Sequence, residues 1–451
     1  MIDVKLLART NVDPVELASH AALMCYQDTP PDFGKEIDVK NRLFDVGHHT
    51  TLQHFFMTYQ IDGISVGDVT FGLHLASPFY NSDQRSGRFC AKMFLNPDFG
   101  KIGDYIKFFW PNICHEKIDK IVGYIKSGLE VYFTNIEGAT NLAKQFIKEE
   151  RPFASEKYIE ANAPKFAQEQ MRMFIPVIFP TGLDFTINLS SLVALYESAW
   201  NPVMKHITTK MAMIMLTSFP KLHFMFNKER RREKDCPSLF RKSGTGQEIN
   251  YEPILWGFDV WGDNFFKKPE SNIMHPIDLL HYQPELMGNN FAEIRSGVEI
   301  SLATMGQDQR HRTISRSEPY FTGRFYLPPL LKEMGLEKEA ASLLKRWCEL
   351  TEEIPPALAR IIAPYGAMVR YSKRGSLNAI VHEQMKRLCW CAQEEIYHLS
   401  RMLRRNIENE NLLSVFAPAC YKTGSCAEGN RYCGRDIRVR ETGDYFPARK
   451  V

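Results

Sequence analysis

The chain has 451 residues, a net charge of +3, 44% hydrophobic residues and 24% charged residues. That length predicts two or three domains, and so balanced a charge gives no electrostatic reason to expect a nucleic-acid partner. No apolar run approaches the roughly 18 residues of a membrane span, and the opening MIDVKLLART has no signal-peptide core, so no membrane partner is expected. Ten cysteines scattered through a chain this large point to a reducing cytoplasm, with free thiols or metal ligands rather than disulfides.

In chain order, the first element is a strand over His54–Ile61, rich in aromatic and β-branched residues. Ser86-Gly87-Arg88-Phe89 follows and returns later as Thr322-Gly323-Arg324-Phe325. Downstream of each lies an Arg four residues before a Pro: Arg172 before Pro176, and Arg360 before Pro364. A helix is expected after each Pro, opening near Asn188 and near Ser376. In the second, Met385, Leu388, Ala392, Ile396, Leu399 and Leu403 recur at three- and four-residue steps and predict one buried stripe. The charge run 228–235 (KERRREKD) reads as a solvated helix end or linker. These parallels predict an α+β chain of two diverged copies: 1–220, a connector at 221–275, the second copy at 276–412, and a Cys-containing tail at 413–451.

The densest chemistry lies in the second copy, in Gln307-x-x-Arg310-His311-Arg312-x-x-Ser315-x-x-Glu318, followed by Thr322-Gly323-Arg324. Guanidinium forks suit phosphate oxygens, and a Thr-Gly pair lets backbone N–H groups approach an anion. Ser315 has no evident His–Asp relay and is not read as a nucleophile. Arg360 reads alternatively as a helix C-terminal charge, and Arg387 as a partner of Glu383 one turn earlier.

These residues resemble the flavin-dependent thymidylate synthase family, ThyX, whose signature is R-H-R-x-x-S with an acidic residue and S-x-R-Y downstream. Arg387 and Ala392-Gln393-Glu394-Glu395-Ile396 are similar to the family's R…A-Q-x-E-I helix. The first copy resembles a degenerate member. Gly47-His48-His49-Thr50-Thr51-Leu52-Gln53-His54 matches G-H-x-[ST]-x-x-E-H with Gln53 in place of Glu. Leu73-His74-Leu75 stands where Arg-His-Arg is expected, and Ala199 stands where copy two has Arg387. Copy two shows the opposite losses: Phe291 replaces a His, and Ser376 and Asn378 replace the flavin-side Asn and Arg.

The resemblance implies reductive C5 methylation of dUMP with FAD, using NADPH and methylenetetrahydrofolate as co-substrates. It assigns Arg310, His311, Arg312 and Arg387 to catalysis. Gln307, Glu318, Thr322, Gly323, Arg324, Arg360 and Arg387 go to the nucleotide, with Ser86, Gly87, Arg88 and Arg172 as first-copy equivalents. Arg88 and Arg172 read equally as a vestigial anion site or an ion pair. His48, Thr50, Asn188, Asn378 and the Arg-His-Arg step go to the flavin. Because family members are homotetramers, a fused pair implies a pseudo-dimer in one chain and a homodimer that forms a pseudo-tetramer. Other readings are C5 hydroxymethylation, methylation of another pyrimidine nucleotide, or a decayed nucleotide- or flavin-binding protein. Cys420, Cys426 and Cys433 read either as ligands of a metal such as zinc, completed by Cys389 or Cys391, or as free thiols.

Overall fold

The computed structural model describes residues 2–75, 80–88, 90, 92–236, 248–269, 283–418, 420–421, 424–426, 432–436 and 446–451. The chain forms two compact units. One comprises Met1–Ser86, Lys92–Asp119 and Ile178–Ser238, the other Gly87–Ala91, Lys120–Val177 and Leu239–Val451.

The first unit is built on a four-stranded antiparallel sheet of β1 (Asp3–Arg9), β2 (Phe56–Ser65), β3 (Tyr80–Gln84) and β4 (Pro180–Asn188), in the order β1-β2-β4-β3. Phe55, Met57, Tyr59 and Ile61 alternate inward and are buried, as the period of a half-buried strand requires. Gly63, at φ +77°, forms a bulge that adds one residue to β2. Ser65 then caps the helical turn Val66–Leu73 by accepting the Asp68 N–H. After β4, the Asn188 carboxamide caps the helix Leu189–Ser198 through the Ser191 N–H at 2.8 Å.

The second unit carries β5 (Glu248–Asn250), β6 (Ile254–Trp261), β7 (Glu293–Ser301), β8 (Ser315–Arg316), β9 (Tyr320–Tyr326) and β10 (Ala367–Ser376). They lie in the order β5-β9-β10-β7-β6, and β8 pairs with β10. Ser301 caps α1 (Leu302–Asp308) through the Thr304 N–H, and Ser376 caps α2 (Leu377–Arg387) through the Ala379 N–H. Setting β1, β2, β4 and β3 beside β6, β7, β10 and β9 gives the same strand order, with a helix opening after the second and last strand of each set. The two Arg-x-x-x-Pro segments both fall in the second unit and run antiparallel, with a bridge from Pro176 to Pro364.

Several expectations are revised. The expected connector supplies β5 and β6 to the second sheet. Residues 120–177 belong to the second unit rather than to a first block ending at 220. Their long helix (His115–Glu150) uses Gly128 to approach the Phe174 carbonyl and Leu343. In the run 228–235, Arg231 is half-buried and donates to Thr208 Oγ1 at 2.7 Å and Thr209 Oγ1 at 2.6 Å, so this residue is not simply solvated. The stripe from Met385 to Leu403 is not one helix: α2 ends at Arg387 and α3 (Glu394–Arg405) begins anew. The carbonyls freed between them have other donors, since Arg449 bonds Trp390 O at 2.8 Å and Ala392 O at 2.5 Å. His74 caps the end of its helical turn as Gln309 caps α1, two positions ahead of His311. The bulge at Gly63 and the wide turn Val69–Leu73 each add a residue, so the His74 imidazole is not the counterpart of His311.

Candidate functional site

β10 sorts its cations onto opposite faces of its sheet. Tyr371 and Lys373 point to the helix-covered side and are buried; Arg370 points to the other. Arg324 belongs with Arg370. Its Nη1 reaches the fully buried Glu299 at 3.1 Å and its Nε reaches Glu248 at 2.8 Å, while Arg370 reaches Glu299 at 2.7 Å. Arg324 is therefore committed to a sheet-surface ion network and does not join Arg310-His311-Arg312 in one pocket. Thr322 donates to the Met368 carbonyl at 3.4 Å, and Gly323 has φ +76°.

The helix-covered face holds the cluster. α1 ends in Gln307 and Asp308, and the turn after it presents His311. α2 brings Arg387 across: its Nε donates to His311 Nε2 at 2.9 Å and its Nη2 to the Gln307 carbonyl at 2.7 Å. Arginine has no acceptor, so Nε2 carries the lone pair and the His311 proton sits on Nδ1. Burial and the adjacent Arg387 hold His311 well below the usual imidazole range, so the ring is neutral. Burial pulls Arg387 down to about 10, which leaves it cationic at neutral pH. The alternative pairing of Arg387 with Glu383 is not adopted: Arg387 donates to His311 and Gln307, and Glu383 pairs with Lys373 at 2.7 Å.

Beneath His311 lies a buried charge network that sequence reasoning missed. Asp308 is fully buried, bonded to Lys373 Nζ at 2.7 Å, to Tyr371 Oη at 2.8 Å and to the Arg316 guanidinium. Burial works to raise this carboxyl, and Arg316 and Lys373 overcome it and hold it well below the usual range. Arg316 also donates to the His311 carbonyl at 3.1 Å, which fixes the loop carrying the imidazole. The sequence signal was Arg316, a third cation in the same loop, and Lys373, a buried-face lysine in a strand.

Gln393, at the mouth of α3, accepts from Gln307 Nε2 and from Arg172 Nη2 at 3.1 Å. Arg172 is 4% exposed and stacks on Tyr365, with its guanidinium carbon 5.0 Å from the ring centroid. The structure thus joins Arg172, Gln307, His311 and Arg387 in one cluster. Arg88 is held by Glu169 and by the Cys391 carbonyl at 3.1 Å, the ion-pair alternative. Gly87 gives its carbonyl to Gln168 at 3.1 Å, and Ser86 is half-buried. Arg310 and Glu318 are exposed, Arg312 is half-buried, and Arg360 is 2% exposed. The Asn378 carboxamide is buried and used internally, bonding Asn290 at 2.8 Å and Asn289 at 3.2 Å. His48 and Thr50 are exposed on the first unit, where Asn188 is a helix cap. Among the described residues no three His, Cys, Asp or Glu side chains already converge on a metal position, Cys420, Cys426 and Cys433 included.

Two buried amide atoms of the cluster, Gln307 Oε1 and Gln393 Nε2, have no hydrogen-bond partner among the described residues, and neither has either side-chain polar atom of Gln384 elsewhere on α2. Such atoms cost free energy unless something pairs with them. The cluster is therefore cationic and buried, with spare amide donors and acceptors. The chain belongs to the family of thymidylate synthase complementing proteins (Thy1), whose model matches residues 5–222 and 289–410. The resemblance read from the Arg-His-Arg step is borne out by that match. No curated protein matches. Among solved structures, the chain is similar to thymidylate synthase X (ThyX) from Helicobacter pylori with FAD and dUMP: 16% identity, covering 52% of this chain and 100% of that one, TM-score 0.30. A second structure, of flavin-dependent ThyX from the same organism complexed with FAD and dUMP, gives 17% identity, 51% and 100% coverage, and a TM-score of 0.28. No helix among the described residues is long and apolar enough to cross a membrane.

Proposed function

We propose that the chain is a flavin-dependent thymidylate synthase that methylates C5 of dUMP, drawing on methylenetetrahydrofolate, NADPH and bound FAD. The observation that carries this reading is the Arg387–His311–Gln307 cluster beside the unpartnered amide atoms of Gln307 and Gln393. Those amides fit the alternating donors and acceptors along the edge of a flavin or uracil ring. Bound flavin supplies the redox chemistry. The chain's own residues bind, orient and exclude water. Arg387 sets a buried positive charge where negative charge on a uracil carbonyl would develop. His311, neutral and with its proton on Nδ1, offers one fixed donor. Arg310 and Arg312, on either side, are the candidate phosphate and ring contacts.

The matching strand orders and caps support a tandem duplication in which only the second copy keeps the Arg-His-Arg cations. We therefore assign one active site per chain and a homodimer as the working assembly, with His48, Thr50 and Asn188 as the first copy's flavin contacts.

The test is tritium release from dUMP labelled at C5, with methylenetetrahydrofolate, NADPH and FAD present. Release that depends on all three supports the reading. Release from another pyrimidine nucleotide alone reassigns the substrate. A protein that binds flavin but releases no tritium is a binder and not a synthase.

A further inference from the structure

The turn between α2 and α3 and the tail beyond it enclose a cavity of about 20 Å³. Five of the ten cysteines line it: Cys389, Cys391, Cys420, Cys426 and Cys433. The cluster draws on two separate stretches of sequence, so the fold and not local spacing assembles it. The catalytic reading uses none of these thiols.

The scaffold around the cavity is fixed by bonds that do not involve sulfur. Arg449 holds the Trp390 and Ala392 carbonyls on the turn side. On the tail side, Gly434 accepts the Phe153 N–H at 2.8 Å. Its φ of +77° and its contact with Ala154 leave no room for a Cβ. Arg151 donates to the Cys433 carbonyl at 3.4 Å. Arg435 is 5% exposed, and its guanidinium lies over the Trp390 ring at 4.5 Å, on the cavity wall.

We infer that this pocket binds a single four-coordinate divalent metal ion of the zinc type, ligated by Cys389 and Cys391 from the turn and by two of Cys420, Cys426 and Cys433 from the tail. Soft thiolates select such ions. The acid-labile sulfide content of the protein separates a lone ion from an iron–sulfur cluster. Cys389 and Cys391 stand two residues apart on the turn and face the same cavity as Cys420, Cys426 and Cys433. Four thiolates and a divalent ion leave two negative charges, and the buried Arg435 guanidinium is placed to offset them. The ion would clamp the tail to the turn between Arg387 and Gln393, and so brace two members of the candidate site.

The experiment uses the full chain, purified without chelator or affinity histidines from zinc-supplemented cells. Metal content, acid-labile sulfide and zinc release by an organomercurial are measured on the unmutated protein. About one zinc per chain, no sulfide, and release of the zinc as the thiols are titrated support the proposal. Cys420→Ser/Cys433→Ser is expected to fall at least tenfold in zinc content. Cys25→Ser/Cys114→Ser, at exposed cysteines of the first unit, keeps it. Cobalt exchanged into the unmutated protein gives the strong visible absorption of a tetrahedral thiolate site. Less than about a tenth of an equivalent of metal, or stoichiometric sulfide, overturns the proposal without any variant having to fold.

Discussion

His311 keeps its proton on Nδ1 because the group bonded to Nε2, the Arg387 guanidinium, cannot accept. Removing that guanidinium has two consequences. Arg387→Gln withdraws the buried charge and lets the imidazole rotate or protonate. Turnover on dUMP is expected to fall about 10²–10³-fold, the usual cost of one lost transition-state donor. The acid limb of the kcat/KM profile is expected to move up toward the ordinary imidazole value, near 6.5. An unchanged profile with reduced turnover would mean that Arg387 acts on ligand alone and not through His311. For the first copy, His48→Ala combined with Asn188→Asp is expected to lower flavin occupancy, read from the visible absorbance of the purified protein. Full occupancy removes those residues from the flavin assignment. Arg387 and His311 were legible in sequence because rare residue types stood at a specific spacing. Arg324 stands apart from them, because a motif states only which residues are near in sequence. The pleat of β9 and β10 decides which face each one reaches.

The junction of β7 and α1 shows how an element can depend on a distant carboxylate. Ser301 caps α1 and also, with its own N–H and the Thr304 hydroxyl, donates to Glu395 on α3. Ser301→Ala is expected to cost about 1–3 kcal/mol, through the lost cap and a buried carboxylate short of a donor. A lower urea midpoint at unchanged m-value checks it. A loss below about 0.5 kcal/mol would show that the backbone N–H and Thr304 suffice. At this scale the sequence was read correctly where caps and alternation are local, as at Asn188, Ser376 and β2. It was misread across the α2–α3 turn. The apolar steps from Met385 to Leu403 continue through the break, because the residues on both sides still pack inward. The break itself comes from partners far along the chain: Arg449 for the turn carbonyls, and Gln307 and Arg172 for the Gln393 side chain. The two edge strands before residue 262 were equally hidden, since short strands exposed on one side carry little periodic signal.

Taken over the whole molecule, the buried titratable groups set a definite pH response. His311 and His398 lie below their ordinary values through burial, His398 at about 3. The unfolded chain binds protons there that the native state does not, so these groups lower stability as pH falls below about 6.5. Glu394 and Glu395 are pushed up by burial, to about 8 and about 7. Their contribution is complete below the ordinary carboxyl range, near 4.3, and is lost as pH rises through 7 and 8. Glu383 and Glu150, also raised by burial, add to that loss. Each uncompensated proton changes stability by about 1.4 kcal/mol per pH unit. Between about 4.3 and 6.5 the two histidines oppose the carboxyls. Above 6.5 the raised carboxyls lead, so Tm is expected to decline from pH 6.5 to about 8. Glu394→Gln separates this from a general alkaline effect. The carboxamide keeps an acceptor for the Tyr326 hydroxyl, which now donates to Glu394 at 2.7 Å, but it cannot ionise. The variant is expected to match the parent near pH 5 and exceed it in Tm at pH 8.5. A Tm difference of the same size at both pH values would place the alkaline loss elsewhere and leave Glu394 a purely steric member of the core.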